Sequence, residues 1–169
     1  MRIGILEPNH FSVQGIQRLS SIGVISLFDN SVNIDSFLNN IEVLFIRLDY
    51  HINKEFLNKC KSLKILCSPT TGLNHIDLKI LNERQINLIC LRDKTDILTN
   101  VRATPENTFG LAIALLRGYK KSFLSINNCN WFRYNYIGDE LYEMNVGIIG
   151  YGRVAVSYTH LTLPTILLV

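Results

Sequence analysis

An α/β fold built on a parallel sheet is what this chain predicts, and three observations carry that expectation. Short apolar runs alternate with segments of helical periodicity over residues 1–98, and the connections between them are short. Near the far end, a further apolar run leads straight into a glycine-rich turn. Repeated strand–helix alternation implies a parallel sheet with helices on its faces. Right-handed crossovers then give a flavodoxin-like doubly wound domain, followed by the start of a Rossmann dinucleotide-binding domain.

Ile3–Leu6 is a compact apolar run closed by Pro8 and Asn9, and Ser12–Ile22 carries Val13, Ile16 and Leu19 at helical spacing. Val24–Phe28 is a second strand, and Ile34–Ile41 places Ile34, Phe37, Leu38 and Ile41 on one helical face. Val43–Ile46 follows as a strand, then Lys54–Leu63 as a helix with Phe56 and Leu57 inward. Ile65–Cys67 is a strand leading to a loop, Leu78–Arg84 a short helix and Ile86–Leu91 a fifth strand. Asp77 caps or starts the helix that follows it.

A different element comes next. Thr104-Pro105-Glu106 reads as a helix start, with a hydroxyl cap, proline at the first helical position and an acid against the positive dipole end. The following FGLAIALLRGYKK is apolar around most of its circumference, which predicts burial on several sides, between two domains. Asn127–Asp139 reads as a loop with Trp131 as a packing anchor. The expected organisation is a first domain over 1–98, a linking helix over 99–125 and a second domain opening at 126–155.

Composition is that of an ordinary globular protein: 169 residues, 47% hydrophobic, 18% charged, net charge +3. Lys59, Lys61 and Lys64 form one loose basic cluster, and Lys120 with Lys121 another, both better read as solvated faces than as a nucleic-acid groove. The four cysteines Cys60, Cys67, Cys90 and Cys129 lack metal-ligand spacing and imply a reducing cytoplasm. No apolar run approaches the ~20 residues of a membrane helix, so neither nucleic acid nor membrane is expected as a partner.

The most specific signal is NVGIIGYGRVA at 145–155. Val146, Ile148 and Ile149 form a strand that enters Gly150-x-Gly152-x-x-Ala155, the dinucleotide fingerprint in its required setting. Gly150 permits the tight turn, Gly152 has no side chain to hold a pyrophosphate off, and Ala155 lets the next helix pack on the sheet. A helix is not expected there, however. Val156, Tyr158, Thr159 and Thr162 are poor helix formers, and Pro164 stops a helix one turn later. Residues 156–165 resemble one reading frame of a transposon-end adapter used in DNA library preparation. Residues 156–169, with His160, are therefore expected to be a non-native tail on a chain truncated near Ala155.

Three ordered segments resemble the D-isomer-specific 2-hydroxyacid dehydrogenases, which include phosphoglycerate, glycerate and D-lactate dehydrogenases. They are LKILCSPTTGLNHIDL (63–78), TNVRATPENTFGLAIALLRG (99–118) and NWFRYNYIGDELYEMNVGIIGYGRVA (130–155). The resemblance implies a substrate domain and a nicotinamide-cofactor domain, acting on a small 2-hydroxy or 2-oxo acid with NAD, or NADP, in a homodimer. Carried over, Thr71, Gly72 and Leu73 present backbone N–H groups to the substrate carboxylate, and Thr71 also meets the cofactor. Gly72 allows close approach, and clustered N–H groups suit an anion. Asn100 and Arg102 align with a polar pair at the linking helix, where Arg102 either meets an anionic substrate group or tethers the hinge. Gly150, Gly152, Arg153, Val154 and Ala155 align with the cofactor turn, the Arg153 amide toward the pyrophosphate.

The departures matter too. Where the family loop reads R-x-G-x-G, this chain has Ser68 and Thr70, which puts substrate identity in doubt. The family's catalytic Arg, Glu and His lie beyond the fingerprint, so no catalytic residue is assigned and the chain is expected to be inactive. His10 and His51 read as loop residues and His75 as structural. A dehydrogenase-like nucleotide-sensing scaffold of the corepressor kind, and a stand-alone flavodoxin-like module, are the alternative expectations.

Overall fold

Parallel pairing organises the first of two units, Met1–Lys94. Strands β1 (Arg2–Ile5), β2 (Val24–Leu27), β3 (Val43–Phe45), β4 (Ile65–Ser68) and β5 (Asn87–Cys90) form one sheet in the order β2-β1-β3-β4-β5. Every pair is parallel, with Ile5, Phe45, Cys67 and Ile89 in one register row. The computed structural model describes residues 1–150, 152–159 and 165–168. The strand order is that of the doubly wound flavodoxin-like sheet expected from the sequence.

The helices of this unit are α1 (Val13–Ser20), α2 (Ile34–Leu38), α3 (Lys54–Lys59) and α4 (Leu78–Glu83), all shorter than their periodic segments. One sheet face carries the main core, in which Leu44 and Leu66 meet Leu38, Phe56, Leu57 and Leu81 from the helices. Burying side chains of this size stabilises by roughly 1.5–3 kcal/mol each. The other face packs Ile3, Val43 and Cys67 with Leu19 of α1, while Ile89 on β5 is 57% exposed. Val13, expected on the inner face of α1, is exposed.

Each of these helices starts on a polar cap. Ser12 accepts from the Gly15 amide, Asn33 from Asp35 and Ser36, Asn53 from Phe56, and Asp77 from Lys79 and Ile80. Each cap satisfies amides that have no partner inside the helix. Asp77 therefore does what its sequence position suggests. At the opposite edge, Lys64 hydrogen-bonds Glu42 at 2.8 Å and, with the Arg2 amide, holds that carboxyl below its ordinary value.

The second unit, Thr95–Val169, contains α5 (Thr95–Leu98), α6 (Ala103–Leu116), α7 (Tyr119–Asn127) and a 3-10 turn at Arg133–Tyr136. Strand β6 (Val146–Ile149), helix α8 (Arg153–Thr159) and strand β7 (Thr165–Leu168) complete it, with β6 and β7 parallel.

Several expectations are corrected here. Helix α6 begins at Ala103, one residue before the expected hydroxyl cap, with Arg102 at the cap position and no side-chain cap bond. Thr104 lies inside the first turn, where its carbonyl accepts from the Thr108 hydroxyl at 3.0 Å. Pro105 is tolerated there because first-turn amides lack intrahelical partners anyway. Gly118, at φ 61°, breaks the run into two helices, since left-handed backbone costs glycine nothing. Of α6 only Pro105 is buried among the described residues, so the expected burial on several sides is absent. Leu115 is 82% exposed, and so is Trp131, which is not a packing anchor among the described residues.

The largest correction concerns the segment after the fingerprint, which is helical over Arg153–Thr159. The Val156 amide bonds the Gly152 carbonyl at 3.0 Å, and Ala155 is buried. Intrinsic preferences against Val, Tyr and Thr amount to only about 0.7 kcal/mol per residue at most, which a packed helix overrides. Thr162 and Pro164, invoked against a helix, lie outside the described residues, as does His160.

Burial also ranks the thiols. Desolvation pushes Cys60 up to about 12 and Cys67 up to about 11, against an ordinary 9.0, whereas Cys129 is exposed. A disulfide reagent at neutral pH should therefore label Cys129 rapidly and leave Cys60 and Cys67 unmodified until denaturant is added. Equal labelling rates under native conditions would contradict this packing.

Candidate functional site

Because every strand of the first unit runs the same way, all its strand-to-helix loops gather at one sheet edge. That carboxyl edge is where open α/β sheets bind ligands. The loop after β4 shows how the sequence builds such a site. The Ser68 and Thr70 hydroxyls share a hydrogen bond of 2.8 Å, and Thr70 Oγ1 donates to the Gly72 carbonyl at 2.9 Å. The Leu91 amide then bonds the Thr70 carbonyl, extending the β4–β5 ladder past the end of the strands.

This bonding fixes the loop while leaving its donors open. The amides of Thr71, Gly72 and Leu73 have no acceptor among the described residues. Thr71 and Gly72 are exposed, whereas the Leu73 side chain is buried in the main core and pins the loop from below. A Cβ added at Gly72 would meet nothing within 4 Å, so the space beside these amides is free. Three neighbouring unpaired N–H groups with open space in front of them suit a small anion. Ser68, where the resemblance expects an arginine, is only 3% exposed and faces Thr70.

A second feature of this edge is not among the sequence-derived candidates. The Glu7 carboxylate accepts from the amides of Arg47 at 2.7 Å, Leu48 at 3.2 Å and Asp49 at 3.4 Å. Arg47 Nη1 in turn donates to the Asn9 carbonyl at 3.1 Å. These residues line a cleft of about 690 Å³ with His10, Asn30 and Tyr50, beside β1 and β3. The sheet order reverses between those strands, so the cleft lies at the topological switch point. The signal was in the sequence: Glu7 and Arg47 each end an apolar strand run, the position that faces the carboxyl edge.

In the second unit, Gly150 sits at φ 110°, a conformation that L side chains rarely adopt. Cβ atoms built on Gly150 and Gly152 meet nothing within 4 Å. The turn between β6 and α8 is thus a cradle that side chains would fill, a shape that suits close approach of a pyrophosphate. Arg153 opens α8, and its guanidinium reaches the carbonyls of Leu98 at 3.2 Å and Val101 at 3.1 Å. It thereby ties the fingerprint to the turn that carries Asn100 and leads into Arg102. The Asn100 amide bonds the Ile97 carbonyl, and Arg102 forms no ion pair among the described residues. Val154 is half-buried and Ala155 buried.

Thr71, Gly72 and Leu73 belong to the first unit, whereas Asn100, Arg102 and residues 150–155 belong to the second. Among the described residues the histidines form no site. His75 is buried with Nε2 unpartnered among the described residues, while its carbonyl accepts from the Ile52 amide at 2.7 Å. Among the described residues no group of His, Cys, Asp and Glu is placed to hold a metal, and no helix is long and apolar enough to cross a membrane.

Comparison with known proteins agrees with this fold. Residues 11–92 match the family described as D-isomer specific 2-hydroxyacid dehydrogenase, catalytic domain. The chain is 26% identical over 151 residues to the D-3-phosphoglycerate dehydrogenase of Bacillus subtilis, covering 89% of this chain and 28% of that one. It is 27% identical over 124 residues to the glyoxylate reductase of Pyrococcus furiosus, covering 69% and 35%. The chain therefore spans roughly a third or less of the length of these curated relatives. The D-lactate dehydrogenase of Aquifex aeolicus, solved with NAD and lactic acid, superposes with a TM-score of 0.78 at 19% identity, over 99% of this chain and 50% of that one. That last likeness shows the fold.

The Glu7 carboxylate yields a stability prediction. Glu7→Gln removes the charge and turns an amide donor toward backbone donors, so it should lower unfolding stability by about 1–3 kcal/mol, read from the urea midpoint. An unchanged midpoint would mean that the 47–49 amides do not depend on Glu7.

Proposed function

We propose that this chain, which belongs to the D-isomer specific 2-hydroxyacid dehydrogenase family, is the front part of an oxidoreductase that moves a hydride between NAD(P) and a D-2-hydroxy or 2-oxo acid. The observation that carries this reading is the fixed loop with open amides at Thr71, Gly72 and Leu73. In the reading proposed, those amides hold the substrate carboxylate. Asn100 and Arg102, just before α6, are also proposed as substrate-binding residues, on the resemblance alone.

The cofactor proposal rests on the second unit. The turn at Gly150 and Gly152 offers the open backbone that a pyrophosphate needs, with the amides of Arg153, Val154 and Ala155 at the start of α8 as its donors. NAD is the cofactor proposed, with NADP as the variant, since the acidic residue that selects between them stands ~20 positions beyond such a fingerprint. Bound there, the nicotinamide group would supply the hydride chemistry, and the protein position and electrostatics.

An acid/base group with a pKa near working pH is also needed, together with a cation to polarise the carbonyl. By resemblance these lie downstream of the fingerprint, so the 169-residue chain is proposed not to turn over alone. The exposed apolar side of α6, with Leu111 and Leu115, fits a homodimer in the parent protein. Four free thiols fit a reducing cytoplasm.

Reading the source locus past the codon for Ala155 and assaying the full product tests the proposal. NAD reduction with a panel of D-2-hydroxy acids is expected, as is loss of NAD binding in Gly152→Val. A full product that binds NAD but turns over no 2-hydroxy acid would favour a nucleotide-sensing scaffold. An open reading frame that ends with the 156–169 sequence would overturn the enzyme reading.

A further inference from the structure

We infer that Arg92 is the cation of the Thr71–Leu73 cradle and a specificity-determining residue for the acid group bound there. The inference rests on the proposed reading of that loop as a carboxylate site, and it adds the charge that the loop itself lacks.

Register brings Arg92 to the loop. Ser68 pairs with Cys90 at the end of the β4–β5 ladder, and the Leu91 amide continues the pairing to the Thr70 carbonyl at 3.2 Å. The next residue on β5's side is Arg92, which falls beside Thr71. Neighbouring strands lie roughly 4.8 Å apart, well within the reach of an arginine side chain. Its Nε donates to the Thr71 carbonyl at 3.4 Å, which brings the guanidinium to the loop.

The rest of the group stays available. Arg92 is exposed, and its two terminal nitrogens have no hydrogen-bond partner or ion pair among the described residues. The competing cation at this edge, Arg47, spends Nη1 on the Asn9 carbonyl in the neighbouring cleft. Ser68 carries no charge, and its hydroxyl is committed to Thr70. Arg92 is therefore the positive charge tethered directly to the loop whose amides are open. A guanidinium held by one nitrogen presents a planar edge to a carboxylate, and charge-assisted bonds of that kind are about twice as strong as neutral ones. Amides alone favour an anion, and a fixed positive charge beside them sharpens that preference.

Titration of the 169-residue chain with D-lactate, followed by amide and arginine side-chain NMR, tests this, with lactamide as the uncharged control. D-Lactate should shift the amides of residues 71–73 together with Arg92 Nε–H, and lactamide should not. Arg92→Gln should weaken D-lactate binding tenfold or more while leaving the ligand-free amide shifts of residues 44–46 and 65–67 unchanged. Arg92→Lys, which keeps the charge but loses the planar edge and the Nε contact, should bind more weakly than the wild type and more tightly than Arg92→Gln. If D-lactate shifts residues 71–73 equally in the wild type and in Arg92→Gln, or if lactamide binds as well as D-lactate, the role of Arg92 is refuted and the loop reading survives. If D-lactate leaves residues 71–73 unmoved in the wild type, the loop reading falls and takes this inference with it.

Discussion

The parallel register of the first sheet is the constraint on which the rest depends. Strands that all run one way must be joined by crossovers, so every strand-to-helix loop emerges at the same edge. The burial of Leu44 and Leu66 under Leu38, Leu57 and Leu81 holds that register, because a slip of one residue would turn the apolar set outward. Fixed in this way, the ends of β3, β4 and β5 place Arg47, the Thr70–Leu73 loop and Arg92 on adjacent strands. The candidate site follows from the sheet and does not shape it.

The two units use backbone donors differently. In the first, one set of amides is already satisfied by an internal carboxylate, Glu7, whereas those of Thr71–Leu73 are left open. In the second, glycines clear space at the mouth of a strand–turn–helix unit, and Arg153 uses its side chain to brace the turn before α6. The Arg153 side chain thus holds the start of α8 against the turn before α6.

Much of this was legible in the sequence, for identifiable reasons. The apolar runs at Ile3–Leu6, Val43–Ile46 and Ile65–Cys67 are short and bounded by breakers, which marks strands without knowledge of their partners. Asp77 declared itself as a cap by preceding an apolar helical face. What could not be read were properties that depend on distant neighbours. Thr104 looked like a cap because its local chemistry suits one, but the chain entered the helix a residue sooner. Trp131 looked like an anchor, yet burial needs a facing surface, and the described residues provide none. The helix over Arg153–Thr159 defied weak local preferences because packing of residues such as Ala155 outweighs them. Glu7 and Arg92 were missed because their partners lie 40 and 21 residues away in the chain.

The measurement that bears most directly on the central claim is a crystal structure of the protein grown with oxamate, a stable mimic of a 2-oxo acid. Its carboxylate is expected against the amides of Thr71, Gly72 and Leu73. Oxamate seated instead in the cleft beside Glu7, Asn9 and Tyr50, with residues 71–73 left bare, would contradict that claim.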